Sequence, residues 1–188
     1  MGHQLPALAL VLALFGMSLF LPSSRAQAPT EYQVKAAFLY NFSKFVEWPQ
    51  ISAEAGREPF VIGVLGTDPF DGALEELIQG KSANGRKLMI RKLRTADEAR
   101  NCQIVFIGLS ESKRFRQHLE RMKGASVLIV GEIPGLVEAG GMINFLVLEN
   151  SVHFEINAEA AREAGLQISS RLLSLGRNVR SDRSGKKP

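Results

Sequence analysis

The chain has 188 residues, 45% of them hydrophobic and 22% charged, with a formal net charge of +4. That length supports one domain with a sizeable core and excludes two ordinary ones, and the composition excludes a disordered chain. The single cysteine, Cys102, excludes an intramolecular disulfide, and the absence of any nucleic-acid-binding motif removes that class of partner despite the mild basicity.

The first segment reads as a targeting signal. Ala7–Leu21 is an unbroken apolar run, shorter than an ordinary membrane span and of the length of a secretory core region. Ser24-Arg25-Ala26 then places small residues where a signal peptidase cuts, so residues 1–26 are expected to be removed and the mature protein to be periplasmic.

Thr30–Pro49, TEYQVKAAFLYNFSKFVEWP, is a helix with a marked start and stop. Thr30 and Gln33 form a capping-box pattern, and Glu31 suits the positive end of the helix dipole. Val34, Phe38, Phe42, Phe45 and Val46 make an apolar stripe at helical spacing. Pro49 ends the helix and pushes Trp48 outside it, so Phe38, Phe42 and Phe45 are expected to pack on a sheet, and Trp48 either to join the core or to serve an interface.

After a polar loop at Ile51–Glu58, strands and helices alternate. Phe60–Leu65 is apolar throughout, as in a strand buried on both faces. Thr67 or Asp68 caps a helix over Phe70–Gln79, with Pro69 at its first position. The turn lacks the glycines of a dinucleotide loop, and Asp68 would repel a phosphate, so it reads as an ordinary strand-to-helix connection. Asn84-Gly85 is a tight turn, Lys87–Leu93 a strand and Thr95–Arg100 a short helix. Ile104–Ile107 is a second buried strand, followed by a helix over Glu111–Met122 capped by Ser110, with His118 among its solvated positions. Val127–Val130 is a third buried strand. Such alternation predicts a mainly parallel sheet.

The pattern then changes. Gly131–Gly141 is a glycine-rich loop, and Met142–Leu148 and Val152–Ile156 are close enough to form a hairpin. Asn157 begins a helix that stops at Gly165, and Ser169 caps a last one through Leu175. The fold class is therefore α/β: a single domain over residues 30–176, with a mixed, mostly parallel sheet, helices on both faces and an antiparallel hairpin near one edge. Residues 177–188 read as a basic flexible tail, solvated or in contact with an anionic membrane surface.

No catalytic, cofactor or metal site assembles in the sequence. His118 and His153 lack metal-ligand spacing, Cys102 reads as a buried inert thiol, and no nucleophile elbow or phosphate loop is present. Glu132, Glu138, Glu149 and Glu155 read as solvated. Asn144 lies within an apolar strand, where a buried amide needs partners: either a neighbouring loop backbone or a ligand. Gly140 and Gly141 supply positive φ or close backbone approach.

KAAFLYNFSKFVEWP resembles the opening signature of the YfiR-like family of periplasmic proteins. VLGTDPF at Val64–Phe70, the Asn84-Gly85 turn, CQIVFIG at Cys102–Gly108, AGGMINF at Ala139–Phe145, FEIN at Phe154–Asn157 and AGLQISSRLL at Ala164–Leu173 follow in the family's order. The resemblance implies a regulator rather than an enzyme, without cofactors. It implies binding to, and inhibition of, the periplasmic sensing domain of an inner-membrane diguanylate cyclase, so lowering cyclic di-GMP and affecting biofilm formation. It also implies an outer-membrane-associated sequestering partner, and family members can form homodimers. Related domains accompany membrane histidine kinases, which leaves a small-ligand sensory domain as the alternative. Paired cysteines of some members are missing here.

The two functions predict different surfaces. A repressor needs an exposed apolar patch, expected near Trp48 or Gly131–Gly141. A ligand sensor needs a pocket at the carboxyl ends of the strands, near Gly66–Phe70, Gly108–Ser110 and Gly131–Gly135. The candidate partner or ligand surface therefore comprises Trp48, Asp68, Pro69, Phe70, Gly140, Gly141 and Asn144.

Overall fold

The computed structural model of the protein describes residues 28–49 and 58–179. The expected signal peptide, most of the Ile51–Glu58 loop and the tail beyond Val179 lie outside the described residues.

Helix α1 (Glu31–Phe45) starts as its sequence dictates. The Gln33 N–H donates to Thr30 Oγ1, and the Thr30 N–H donates to the Gln33 side chain at 2.8 Å. Its buried face differs from the expected stripe: Lys35, Ala36, Leu39, Phe42 and Ser43 point inward, while Val34, Phe38 and Phe45 are only half buried. The aromatic load still meets the sheet. Phe38 and Phe42 pack on Phe154 at 5.1 and 5.4 Å between ring centroids, and Phe42 stacks on Phe145 at 5.9 Å. Strand β1 (Val46–Glu47) follows at once and pairs antiparallel with β9 (Gln167–Ile168).

The main sheet has eight strands in the order β10-β8-β7-β6-β5-β2-β4-β3. Strands β2 (Phe60–Leu65), β4 (Arg86–Leu93), β5 (Ile104–Ile107), β6 (Leu128–Gly131) and β7 (Ile143–Leu148) are mutually parallel. At one edge β3 (Ser82–Ala83) pairs antiparallel with β4, and near the other β8 (Ser151–Ile156) does so with β7. The expected mixed, mostly parallel sheet and its edge hairpin are thus present. Glu149 and Asn150 make the hairpin turn, both with left-handed backbone, as a twist-matched two-residue connection requires. Strand β10 (Arg177–Asn178) pairs parallel with Glu155–Ile156 and takes the ordered chain into the segment read as a tail.

Two helices start later than expected. Asp71 and Gly72 adopt left-handed backbone, so α2 spans Ala73–Ile78 instead of beginning at Phe70. After β5 a 3-10 turn, Leu109–Glu111, precedes α3 (Phe115–Met122). The segment after β4 is likewise a 3-10 turn, Ala96–Asn101. Helices α4 (Ala158–Glu163) and α5 (Ser170–Leu173) take their side-chain caps from Asn157 and Ser169. Among the described residues, no helix is long and apolar enough to cross a membrane.

Candidate functional site

Sheet order reverses between β2 and β5, where α/β proteins usually open a crevice at the carboxyl ends of the strands. Here the two loops lock together. The Thr67 N–H donates to Ser110 Oγ at 2.9 Å, and the Gly108 N–H to the Leu65 carbonyl at 2.9 Å. A Cβ on Gly66 would lie 2.5 Å from Ser110 Oγ, and one on Gly108 would lie 2.8 Å from the Thr67 carbonyl oxygen. Asp68 turns back on its own loop, accepting the Phe70 N–H at 3.0 Å and meeting Lys92 Nζ at 3.3 Å. Pro69 is half buried, and the Phe70 ring is inserted between Tyr32 and Phe106. The crevice expected around Gly66–Phe70, Gly108–Ser110 and Gly131–Gly135 is filled by protein.

The loop after β6 closes the neighbouring strand end. Ile133, Leu136 and Val137 are buried, so this glycine-rich segment presents no apolar patch. Leu136 occupies a notch in which Cβ atoms on Gly131 and Gly141 would stand 2.7 and 2.6 Å from its side chain. Asn144 Oδ1 accepts the Ile133 N–H at 2.9 Å, and Asn157 Nδ2 donates to the Val137 carbonyl at 3.0 Å. Of the two partners open to Asn144, the structure shows the loop backbone. Gly140, at φ +107°, borders a separate cavity of about 290 Å³ with Leu119, Met122 and Ala160.

Charged groups at this end are paired. Lys35 Nζ donates to both Glu31 and Glu132, and the Tyr32 hydroxyl donates to Glu132 at 3.3 Å. Burial alone would lower the Lys35 pKa, but the bonds to Glu132 and Glu31 outweigh it and raise it. Burial, with the charge of Glu132, raises the Tyr32 phenol. Glu132 is therefore an ion-pair partner rather than a solvated acid, and so is Glu155, which binds Arg177. His118 is buried, not superficial: its Nε2 lies 2.7 Å from Glu111 Oε2, and Arg114 completes the cluster at 3.0 Å. The His118 bond, against burial and with the Arg114 charge, holds the Glu111 carboxyl below its ordinary range. Burial pushes the Cys102 thiol up to about 11, which leaves it protonated and unreactive. Among the described residues no cluster of His, Cys, Asp or Glu suits a metal ion.

Trp48 is also inside, 7% exposed and edge-to-face on Phe60 at 5.1 Å. The exposed apolar surface lies elsewhere, at the end of the β7–β8 hairpin. Leu148 and Leu175 are 54% and 64% exposed and, with Leu146, His153 and Arg177, border a hollow of about 280 Å³, while Val147, 48% exposed, stands on the opposite face of β7. Because β10 reaches only Glu155–Ile156, Ser151–Phe154 has no strand on its outer edge among the described residues. One signal for this surface is in the sequence. INFLVL stays apolar to its end while its partner SVHFEI alternates, so β7 carries more apolar side chains than one covered face needs.

The candidate residues thus do not form one surface. Phe70 and Asn144 are core supports at the carboxyl ends, Gly141 accommodates Leu136, and Trp48 packs on Phe60 of β2.

Comparison with known proteins places this fold. No curated protein matches the chain. A crystal structure of a conserved domain protein from Vibrio cholerae O1 biovar eltor is similar at 14% identity and a TM-score of 0.50, covering 76% of this chain and 59% of that one. The ABC domain from Streptococcus pneumonia, in complex with L-Trp, is similar at 12% identity and a TM-score of 0.46, covering 64% of this chain and 55% of that one. The chain therefore spans less than two thirds of either structure. Residues 32–177 match the sequence profile of the YfiR/HmsC-like family.

Proposed function

The chain belongs to the YfiR/HmsC-like family, and from that we propose that it is an exported, non-catalytic regulator. It docks on the periplasmic domain of an inner-membrane diguanylate cyclase and holds the enzyme inactive, lowering cyclic di-GMP. The observation that supports a docking role is the apolar surface of Leu146, Leu148 and Leu175 beside Ser151–Phe154 of β8, which has no partner strand on its outer edge among the described residues. Exposed apolar patches and free strand edges are what partner proteins cover. An outer-membrane-associated protein, or a second copy of the chain, covering the same patch would release the cyclase. The interlocked loops between β2 and β5 favour this reading over a ligand-sensing role beside a histidine kinase, which was expected to use a pocket there.

Co-purification of the mature protein with the cyclase's periplasmic domain tests this. A complex at tens of micromolar is expected for the wild type and for Met89→Asp, which alters an exposed residue on β4. Leu148→Asp with Leu175→Asp should abolish it. Absence of a wild-type complex, or a complex indifferent to the double substitution, would sink the proposal.

A further inference from the structure

At the amino ends of the strands, opposite the filled crevice, lies a cavity of about 420 Å³ bordered by Glu58, Pro59, Arg86, Arg91, Asn101 and Gln103. Its lining carries positive charge that the described residues leave uncompensated. Arg86 is only 6% exposed, over the Phe60 ring, and its Nε and Nη2 donate to the Glu58 and Pro59 carbonyls at 2.8 and 2.7 Å. Those carbonyls satisfy hydrogen bonds without neutralising the guanidinium. Arg91 is half buried on the same strand. Neither arginine forms an ion pair with a described carboxylate, including that of Glu58 on the cavity's own rim. Buried charges in proteins are ordinarily paired, because an isolated ion away from water is costly.

The remaining polar groups are donors in search of acceptors. Gln103 is fixed in place: its N–H donates to the Val61 carbonyl at 3.0 Å, and its Oε1 accepts the Val61 N–H at 2.7 Å. Its amide NH₂ is left for the cavity, and the Asn101 side chain bonds to no described residue. Planar guanidinium groups with adjacent carboxamides match the oxygen geometry of carboxylates and phosphates.

We propose that this cavity binds a small oxyanion-bearing molecule of the carboxylate or phosphate class, with Arg91 as the principal ligand and Arg86, Asn101 and Gln103 around it. The site is independent of the hairpin surface and stands whether or not a cyclase is the partner. The bound anion would supply the counter-charge that the two guanidinium groups lack, so occupancy should stabilise the fold.

Isothermal titration of the full chain with inorganic phosphate and, separately, with succinate at constant ionic strength tests this and distinguishes the two anion types. Saturable binding of at least one is expected, weakened by roughly tenfold or more in Arg91→Gln and unchanged in Arg116→Gln, which alters an exposed arginine on α3. Thermal unfolding should rise with the bound anion in wild type and not in Arg91→Gln. Arg91→Gln leaves the buried Arg86 bonds in place, so a folded variant is expected. Binding undiminished in Arg91→Gln would overturn the proposal. So would no binding of either anion to wild type at millimolar concentration. Should Glu54→Gln alone bind, the chain supplies its own counter-ion from residues 50–57 and the proposal falls.

Discussion

The two ends of the parallel strands treat charge in opposite ways. At the carboxyl ends, where α/β folds usually receive ligands, the loops interlock and buried Lys35, Glu132, Glu111 and His118 have partners from their own chain. At the amino ends, Arg86 and Arg91 face a polar cavity and form no ion pair with a described acid, Glu58 on its rim included. The usual ligand crevice has become a structural joint, and the end that is usually structural holds the unfilled charge. Fold topology alone would look for a binding site at the interlocked end rather than at the one proposed.

This contrast can be broken experimentally. The largest effect is expected at the ion pair. Glu132→Ala leaves Lys35 buried with only the half-exposed Glu31, and should lower unfolding free energy by about 3 kcal/mol in urea titrations. Lys35→Met with Glu132→Leu should recover most of that loss, since an apolar pair needs no counter-charge. Asn144→Ala strands the buried Ile133 N–H and should cost about 1–3 kcal/mol by the same measurement. A change near zero in either would mean that the carboxyl-end joint is looser than its bonds imply.

Acid titration gives a smaller effect of known sign. Glu111 has a folded pKa below its ordinary 4.5, chiefly through the His118 bond. Its contribution is complete above the unfolded value and disappears as pH falls through the lowered folded value. Wild type and Glu111→Gln should therefore differ in urea midpoint at neutral pH and converge in acid. Lys35 acts oppositely: its raised pKa makes its contribution fade only as pH climbs past 10.5. Smallest of all, Arg91→Gln should change stability in anion-free buffer by no more than about 0.5 kcal/mol, as no described partner is lost. A large loss there would erase the difference between the two ends.

Much of the architecture was legible in the sequence because it is local. Thr30 and Gln33 fix the start of α1, and the all-apolar runs at Phe60–Leu65 and Ile104–Ile107 mark strands covered on both faces. Errors arose where long-range contacts override periodicity. Nothing in the sequence marked Lys35 for burial, yet Glu132, 97 residues away, draws it inward. His118 looks superficial until the 3-10 turn at Leu109–Glu111 brings Glu111 against it. Trp48, ejected from the helix by Pro49, still finds a place on Phe60 through the short β1–β9 ribbon. Arg86 gave no signal, because its burial depends on carbonyls of the preceding strand entry.

The anchoring of α1 also governs when the protein can become native. Tyr32 reaches Glu132 across 100 residues, and Val46 waits for Ile168 before β1 has a partner. The first of the described helices is thus completed by residues as far along as Glu132 and Ile168. Its aromatic face stays uncovered until Phe145 and Phe154 have joined the sheet. Loop closures of that span make folding slow and leave the nascent helix exposed to wrong partners. A helix left uncovered until the β7–β8 hairpin is in place is the kinetic consequence of holding an N-proximal element from so far down the chain.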